Sequence, residues 1–165
     1  MEDIKPIGID GEGKDLLTKA VKELLNNFPG LEDKEITFEE LSKDSGIAFS
    51  ADNGALILSE KKSVTGKIYQ KCQYPFYVIY RTGAQTESQK IYVQSFLDLL
   101  GRWISGEKIT YNDTDYKLLT YPELTEGRAI NRITRMNSYG IEPDKDGVQD
   151  WLLPCTVEYE HIYYK

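Results

Sequence analysis

The stretch with the strongest chemical signal is a glycine-rich segment near the start of the chain. Its spacing over Gly8–Lys14 matches the phosphate-binding P-loop, G-x-x-x-x-G-K. That loop requires serine or threonine at the next position to bind magnesium, and Asp15 stands there. Asp10 and Glu12 would place negative charge where backbone amides should bind phosphates. The residues therefore favour a glycine-rich lead-in to a helix over a nucleotide site.

A second candidate is the acidic segment Asp144–Gly147, which begins like the calcium-binding loop of an EF-hand. That loop needs an oxygen ligand at its fifth position and a glutamate at its twelfth. Val148 and Cys155 occupy those two positions. The pattern favours a charged hairpin turn between two strands.

Carboxylates also occur in close pairs, which is the arrangement that acid–base catalysis uses. The pairs are Glu39 with Glu40, Asp113 with Asp115, and Glu158 with Glu160. On a strand, a spacing of two puts both side chains of the last pair on one face. None of the pairs has a recognisable catalytic partner, so we interpret them as solvated surface.

Histidine and cysteine are too scarce to support the common metal and nucleophile chemistries. The chain has one histidine, His161, and two cysteines, Cys72 and Cys155. Zinc sites and histidine-dependent triads draw on several such residues. His161 falls in an alternating strand pattern, which predicts a half-buried strand residue. The sequence therefore predicts no catalytic residue, no cofactor and no metal site, and two cysteines do not make a disulfide framework.

Length and charge limit the classes of protein to which the chain could belong. The 165 residues suit one domain, over 1–165, with a flexible N-terminal arm of about residues 1–12. The net charge of −7 and the lack of any positive cluster argue against binding nucleic acid by phosphate neutralisation. No apolar run approaches the length of about 20 residues that spans a bilayer, so we expect no membrane partner.

Hydrophobic periodicity predicts an α+β fold, with a mostly antiparallel sheet packed against two amphipathic helices. The helices are expected from near Gly13 to Leu25 and from about Thr86 to Ser105. Strands are expected at residues 35–38, 46–50, 55–58, 67–81, 128–139 and 148–164. The interval 107–127 is predicted to be irregular.

The strand at 67–81 is apolar on both faces, which predicts a helix on one face and a neighbouring subunit on the other. Pro75 places this strand near a sheet edge or a bulge. Tyrosine, present twelve times, forms strands well but also favours interfaces. As candidate subunit-interface residues we identify Tyr139, Trp151, Tyr163 and Tyr164, with ordinary packing as the alternative.

An ordered set of segments resembles a family of phage minor capsid or neck proteins related to tail terminators. The segments are the first helix before Leu31, residues 73–81 (QYPFYVIYR), 94–103 (QSFLDLLGRW), 121–129 (YPELTEGRA), 139–140 (YG) and the final strand from 151 to 159. The resemblance covers most of the chain, and its information lies in the order and spacing of the segments. It brings no catalytic residues to carry over.

The resemblance implies a tail-terminator-like fold and a structural role in the virion, for a protein made in the bacterial host cytoplasm. Such a protein forms a ring, expected to be a homo-hexamer, that caps the tail tube and stops its growth. Its partners would be other copies of itself, the tail tube protein and the head–neck connector proteins. DNA would pass through the ring without specific binding, and an acidic ring would repel its phosphates.

Two other functions stay open on the sequence. A connector or stopper on the head side of the neck would share this composition and assembly logic. A small-molecule transferase is the third possibility, although the expected histidine or activated cysteine in a fixed local motif is missing.

Overall fold

The computed structural model describes residues 5–165, which form a sheet of eight strands, a separate two-stranded hairpin and two α-helices. In chain order the elements are β1 (Gly8–Ile9), α1 (Gly11–Asn26), β2 (Ile36–Phe38), β3 (Gly46–Ala51), β4 (Leu56–Lys62), β5 (Lys67–Thr82), α2 (Glu87–Ile104), β6 (Ile109–Tyr111), β7 (Thr114–Tyr116), β8 (Arg128–Arg135), β9 (Tyr139–Gly140) and β10 (Gln149–Tyr164). The pairing is antiparallel except between β2 and β3. The predicted α+β class is confirmed.

The sheet is built on one long ladder, in which β5 and β10 pair over all 16 residues of each strand. β4 and then β3 pair with the other edge of β5, while β8 and β9 pair with the other edge of β10. β1 extends the sheet beyond β4. Both long strands were expected from their alternating apolar residues, and their observed bounds match the prediction within one residue.

Proline sits within both long strands, at the places where a flanking strand ends. Pro75 of β5 lies between the last pair with β4, at Gln73, and the first with β3, at Phe76. Pro154 of β10 lies between the pairs with β8 and β9. A proline has no N–H to donate to a neighbouring strand. It is therefore accommodated where no flanking strand pairs with that position. Pro75 was expected at a sheet edge or a bulge, and the structure places it at this gap instead.

Both helices cover the same face of the sheet. α1 buries the stripe of Leu17, Ala20, Val21, Leu24 and Leu25, as its period of 3.6 predicts. α2 begins at a capping box, in which Thr86 and Gln89 each accept from the other's backbone amide. Phe28 joins the two helices, with its ring 5.6 Å from those of Phe96 and Trp103. The buried side chains of helices and sheet form one cluster.

Three segments differ from the sequence prediction. The interval predicted as irregular contains the β6–β7 hairpin, whose turn residues Asn112 and Asp113 have φ of 50° and 63°. The strand predicted at 128–139 is interrupted between β8 and β9. Part of the predicted arm is hydrogen-bonded: the Ile7 amide donates to Ile57 at 2.8 Å, and α1 begins at Gly11. Residues 1–4 of that arm lie outside the described residues.

No helix within residues 5–165 combines the length and the apolar composition needed to cross a membrane.

Candidate functional site

The glycine-rich lead-in positions a buried ion pair. Asp10 caps the N-terminus of α1 and accepts from the Gly13 amide at 3.0 Å. Arg128, at the start of β8, donates to both Asp10 oxygens at 2.9 and 2.6 Å, and the Tyr159 hydroxyl donates at 2.8 Å. The side chains of Asp10 and Arg128 are 6% and 1% exposed. Because both carboxylate oxygens are engaged, this cluster ties the start of the chain to β8 and β10.

The same cluster explains why the P-loop spacing does not make a phosphate site. The N-terminus of a helix attracts anions, and here the Asp10 carboxylate already occupies that position. A phosphate at the same place would meet a buried negative charge and displace the contact with Arg128. The structure thus favours the lead-in interpretation of Gly8–Lys14 over nucleotide binding.

Acid should weaken the fold through this carboxylate. Burial acts to raise the Asp10 pKa, but hydrogen bonds from Arg128, Tyr159 and the Gly13 amide, with the Arg128 charge, bring the pKa below its ordinary value. Ionised Asp10 therefore stabilises the fold above its unfolded pKa of about 3.9, and this contribution is lost as the pH falls through the lower folded value. We expect the native chain to unfold at a higher urea concentration than Asp10→Asn. The difference between the two unfolding midpoints should be largest near neutral pH and should decrease as the pH falls. A difference that stays constant across this range would contradict the assignment.

The two cysteines are buried and poorly suited to nucleophilic chemistry. Burial and the nearby Asp10 charge raise the pKa of Cys72 to about 11. Burial also raises the pKa of Cys155. A reactive cysteine needs a lowered pKa and access to solvent, so neither thiol fits the transferase alternative.

Thiol labelling tests this placement directly. We expect the native chain to react very slowly with a disulfide reagent at pH 8, and two thiols per chain to react at once in denaturant. The physical reason is that Cys72 and Cys155 are 2% and 4% exposed. Rapid labelling of either thiol in the folded chain would show that the cysteine is accessible.

The remaining chemical candidates have local structural roles. Asp144 holds the turn before β10, since its Oδ1 accepts from the amides of Asp146 and Val148. Glu158 pairs with the exposed Arg132 across the strands. His161 is half-buried as predicted, with Nδ1 3.2 Å from Gln70 Oε1. Within residues 5–165 no three histidine, cysteine or acidic side chains are grouped to hold a metal.

The face of the sheet opposite the helices is the strongest candidate for function. We call this the outer face; neither α1 nor α2 packs over it, and the segment between β2 and β3 reaches its edge, where the Ser42 carbonyl accepts from Arg81 at 3.2 Å. Along the half of the ladder toward the start of β10 most residues facing outward are apolar, assigned by alternation from the buried residues of each strand, and the ion pair of Arg81 with Asp150 ends this stretch. These residues, the apolar patch, are Pro75, Tyr77, Ile79, Met136, Tyr139, Ile141, Leu152 and Pro154.

The apolar patch contrasts with the other half of the same face. There Lys71 pairs across the ladder with Glu160, and Arg132 with Glu158, so the surface carries alternating charge. In the apolar patch Met136 is 69% and Tyr139 49% exposed. Ile141 is 45% exposed and the other five residues of the patch are half-buried, and a contiguous apolar surface of this kind is a candidate for covering by another protein.

The four predicted interface residues fall in different environments. Tyr139 lies within the apolar patch, and Tyr164 is 71% exposed at the charged end of β10. Trp151 is buried at 9% exposure on the face toward the helices, where a side chain at Gly140 would meet its ring. Tyr163 is half-buried and stacks on His161 with 4.6 Å between ring centroids. Met136 and Ile141 were missed: Met136 lies where the strand predicted at 128–139 is interrupted, and Ile141 follows the end of that prediction.

A second feature is a groove of about 720 Å³ on the helix side, between the first turns of α2 and the adjoining ends of β3 and β5. Ile47, Tyr80 and Val93 are among its apolar lining. Lys34 and Glu35 lie along it, and Arg81 at its edge is paired with Asp150 at 2.7 Å. Gln85 Oε1 is buried in its wall without a hydrogen-bond partner among residues 5–165. The sequence did not predict the groove, since its walls come from segments far apart in the chain.

Neither a family model nor a curated protein matches this chain.

Proposed function

We propose that this chain is a structural protein of a phage virion. In this proposal its copies form a ring on the end of the tail tube, end tail elongation and join the tail to the head–neck. The observation that carries the proposal is the apolar patch, together with the ordered segments that resemble phage neck and tail-terminator proteins. Segments 73–81, 139–140 and 151–159 of that resemblance include most of the apolar patch.

A ring subunit needs a surface that is stable only when covered by other protein. Exposed apolar area favours association at about 25 cal/mol for each Å² removed from water. The apolar patch lies on a rigid sheet, held by the β5–β10 ladder, so little conformational entropy is lost when a neighbour covers it. Capping then works sterically: a closed ring covers the growing end of the tube, and no further tube subunit can add.

The charge of the chain fits a conduit for DNA. A net charge of −7 for each copy would give a ring of six a charge of 6 × (−7) = −42. Such a ring repels phosphates at short range, so a passing duplex would find no point of strong attachment.

Deleting the gene from the phage that carries it tests the proposal. We expect tails of abnormal, extended length and unattached heads in electron micrographs, with normal particles restored by the native chain. Tails of normal length that still join heads would overturn the proposed function. Tails of normal length that fail to join heads would instead support a connector on the head side.

A further inference from the structure

We infer that two copies of this chain pair through their outer faces, about a twofold axis that runs parallel to β5 and β10. The partner is thus a second copy of this chain, and the apolar patch of each copy covers that of the other. Because both copies use the same surface, the contact is closed at two copies. The pairing itself does not depend on the proposed function.

The charges of the outer face lie in two stripes of opposite sign. By the alternation that defines this face, every charged side chain on β5 points outward, and so does every acidic side chain on β10. The outward charges are Lys67, Lys71 and Arg81 on β5, and Asp150, Glu158 and Glu160 on β10. One strand of the central ladder is therefore basic, and the neighbouring strand is acidic.

This arrangement is self-complementary about only one of the two axes that could relate facing sheets. Sheets that pack face to face keep their strands nearly aligned. A twofold axis parallel to the strands, midway between β5 and β10, lays the basic β5 of each copy over the acidic β10 of the other. An axis across the strands would lay β5 over β5 and bring Lys71 toward Arg81. Opposite charges attract across an interface and like charges exclude a partner, so the stripes select the parallel axis.

Lys71 and Glu160 are the charges that a second copy would use. Arg81 is bound to Asp150 at 2.7 Å, and Arg132 of β8 holds Glu158, so those charges are paired within one copy. Lys71 and Glu160 are neighbours on the ladder, yet within residues 5–165 neither takes part in an ion pair. Under the parallel axis, Lys71 of each copy faces Glu160 of the other.

The same axis matches the apolar patch to itself. Tyr77 is the ladder neighbour of Pro154, and Ile79 is the ladder neighbour of Leu152. Each of these side chains would lie over its ladder neighbour in the other copy, so apolar surface meets apolar surface. The patch and its flanking charges are fewer than the roughly 20 to 30 residues that a tight interface buries on each side. We therefore expect a dissociation constant of about 1 to 100 μM.

The pair has one consequence that does rest on the proposed function. A copy whose apolar patch is covered in the pair cannot present that patch to a neighbour in a ring. The pair would then be the form of the chain before it meets the tail, and it would have to separate before a ring could close.

Sedimentation velocity over a series up to about 200 μM tests the pairing. We expect the native chain to approach twice 18.9 kDa, and Tyr77→Arg, in the middle of the apolar patch, to associate about thirtyfold more weakly or worse. The matched control is Ile91→Arg, which replaces a 58% exposed apolar side chain on α2 and should pair like the native chain. A native chain that stays monomeric, or that forms a species larger than two copies, would overturn the closed pair. Equal weakening by both variants would also overturn it.

Two charge variants test the axis. Lys71→Glu and Glu160→Lys each lay like charges over one another twice in every pair, so we expect each variant alone to associate about tenfold more weakly than the native chain. An equimolar mixture should recover one-to-one pairing, since one copy then carries two acidic side chains and the other two basic ones. Each variant also disturbs its own ladder, but mixing leaves that disturbance unchanged, so recovery can come only from a contact between copies. A mixture that associates no more strongly than the single variants would show that the axis is wrong. The tail-length experiment tests the proposed function separately, and its outcome does not depend on these results.

Discussion

Replacing Arg128 with methionine is expected to lower the free energy of unfolding by about 3 to 5 kcal/mol, the cost of leaving a buried charge without its partner. Arg128 donates twice to Asp10, and both side chains are almost completely buried. Methionine fills much of the same volume, so the loss would come from the unpaired Asp10 carboxylate rather than from a cavity. Urea unfolding at neutral pH measures the change.

Arg132→Met is the matched control on the same strand. Arg132 pairs with Glu158, but its side chain is 69% exposed, so solvent screens the pair and we expect little measurable change. A double variant, Asp10→Leu with Arg128→Met, should recover part of the stability that Arg128→Met alone loses, because no buried charge then remains. Equal losses for Arg128→Met and Arg132→Met would contradict a special role for the buried pair.

The main elements of the fold could be predicted because the apolar residues of each recur with a clear helical or strand period. The stripe in α1 and the alternation in β10 each specify one buried face without reference to the rest of the chain. The β6–β7 hairpin gives no such signal, since its strands have three residues each and are mostly exposed. Its turn depends on the left-handed backbone conformation of Asn112 and Asp113. Asparagine and aspartate are common in turns of many kinds, so their presence does not specify this one.

The candidate site was predictable only in part, and the reason is sequence separation. An apolar second face on β5 is visible in the sequence and predicts an uncovered or shared surface. The addition of Met136 and Ile141 to that surface depends on how the chain returns along β10 after β8 ends. Likewise, Asp10 could be recognised as a helix cap, but its partner Arg128 lies 118 residues away. No local pattern connects them.

The glycines of the lead-in should differ sharply in their tolerance of alanine, because only one of them touches the ion pair. A side chain at Gly13 would overlap the Asp10 carboxylate and lie 2.9 Å from Arg128 Nε, whereas one at Gly11 would meet nothing within 4 Å. We expect Gly13→Ala to lower the free energy of unfolding by roughly 2 to 4 kcal/mol, since it displaces one charge of the buried pair. Gly11→Ala should be neutral or stabilising by up to about 1 kcal/mol, as alanine favours helix.

Comparing Gly13→Ala with Gly11→Ala distinguishes the effect of disturbing the ion pair from the effect of replacing any glycine in the first turn of α1. Both substitutions are the same, both positions lie in that turn, and neither has the left-handed backbone that would penalise alanine by itself. The loss in Gly13→Ala should also shrink when Asp10→Ala and Arg128→Met are already present, because the new methyl group then meets neither the carboxylate nor its partner. An equal loss in both backgrounds would mean that Gly13 is needed for packing alone, and that the spacing of Gly8–Lys14 has another cause.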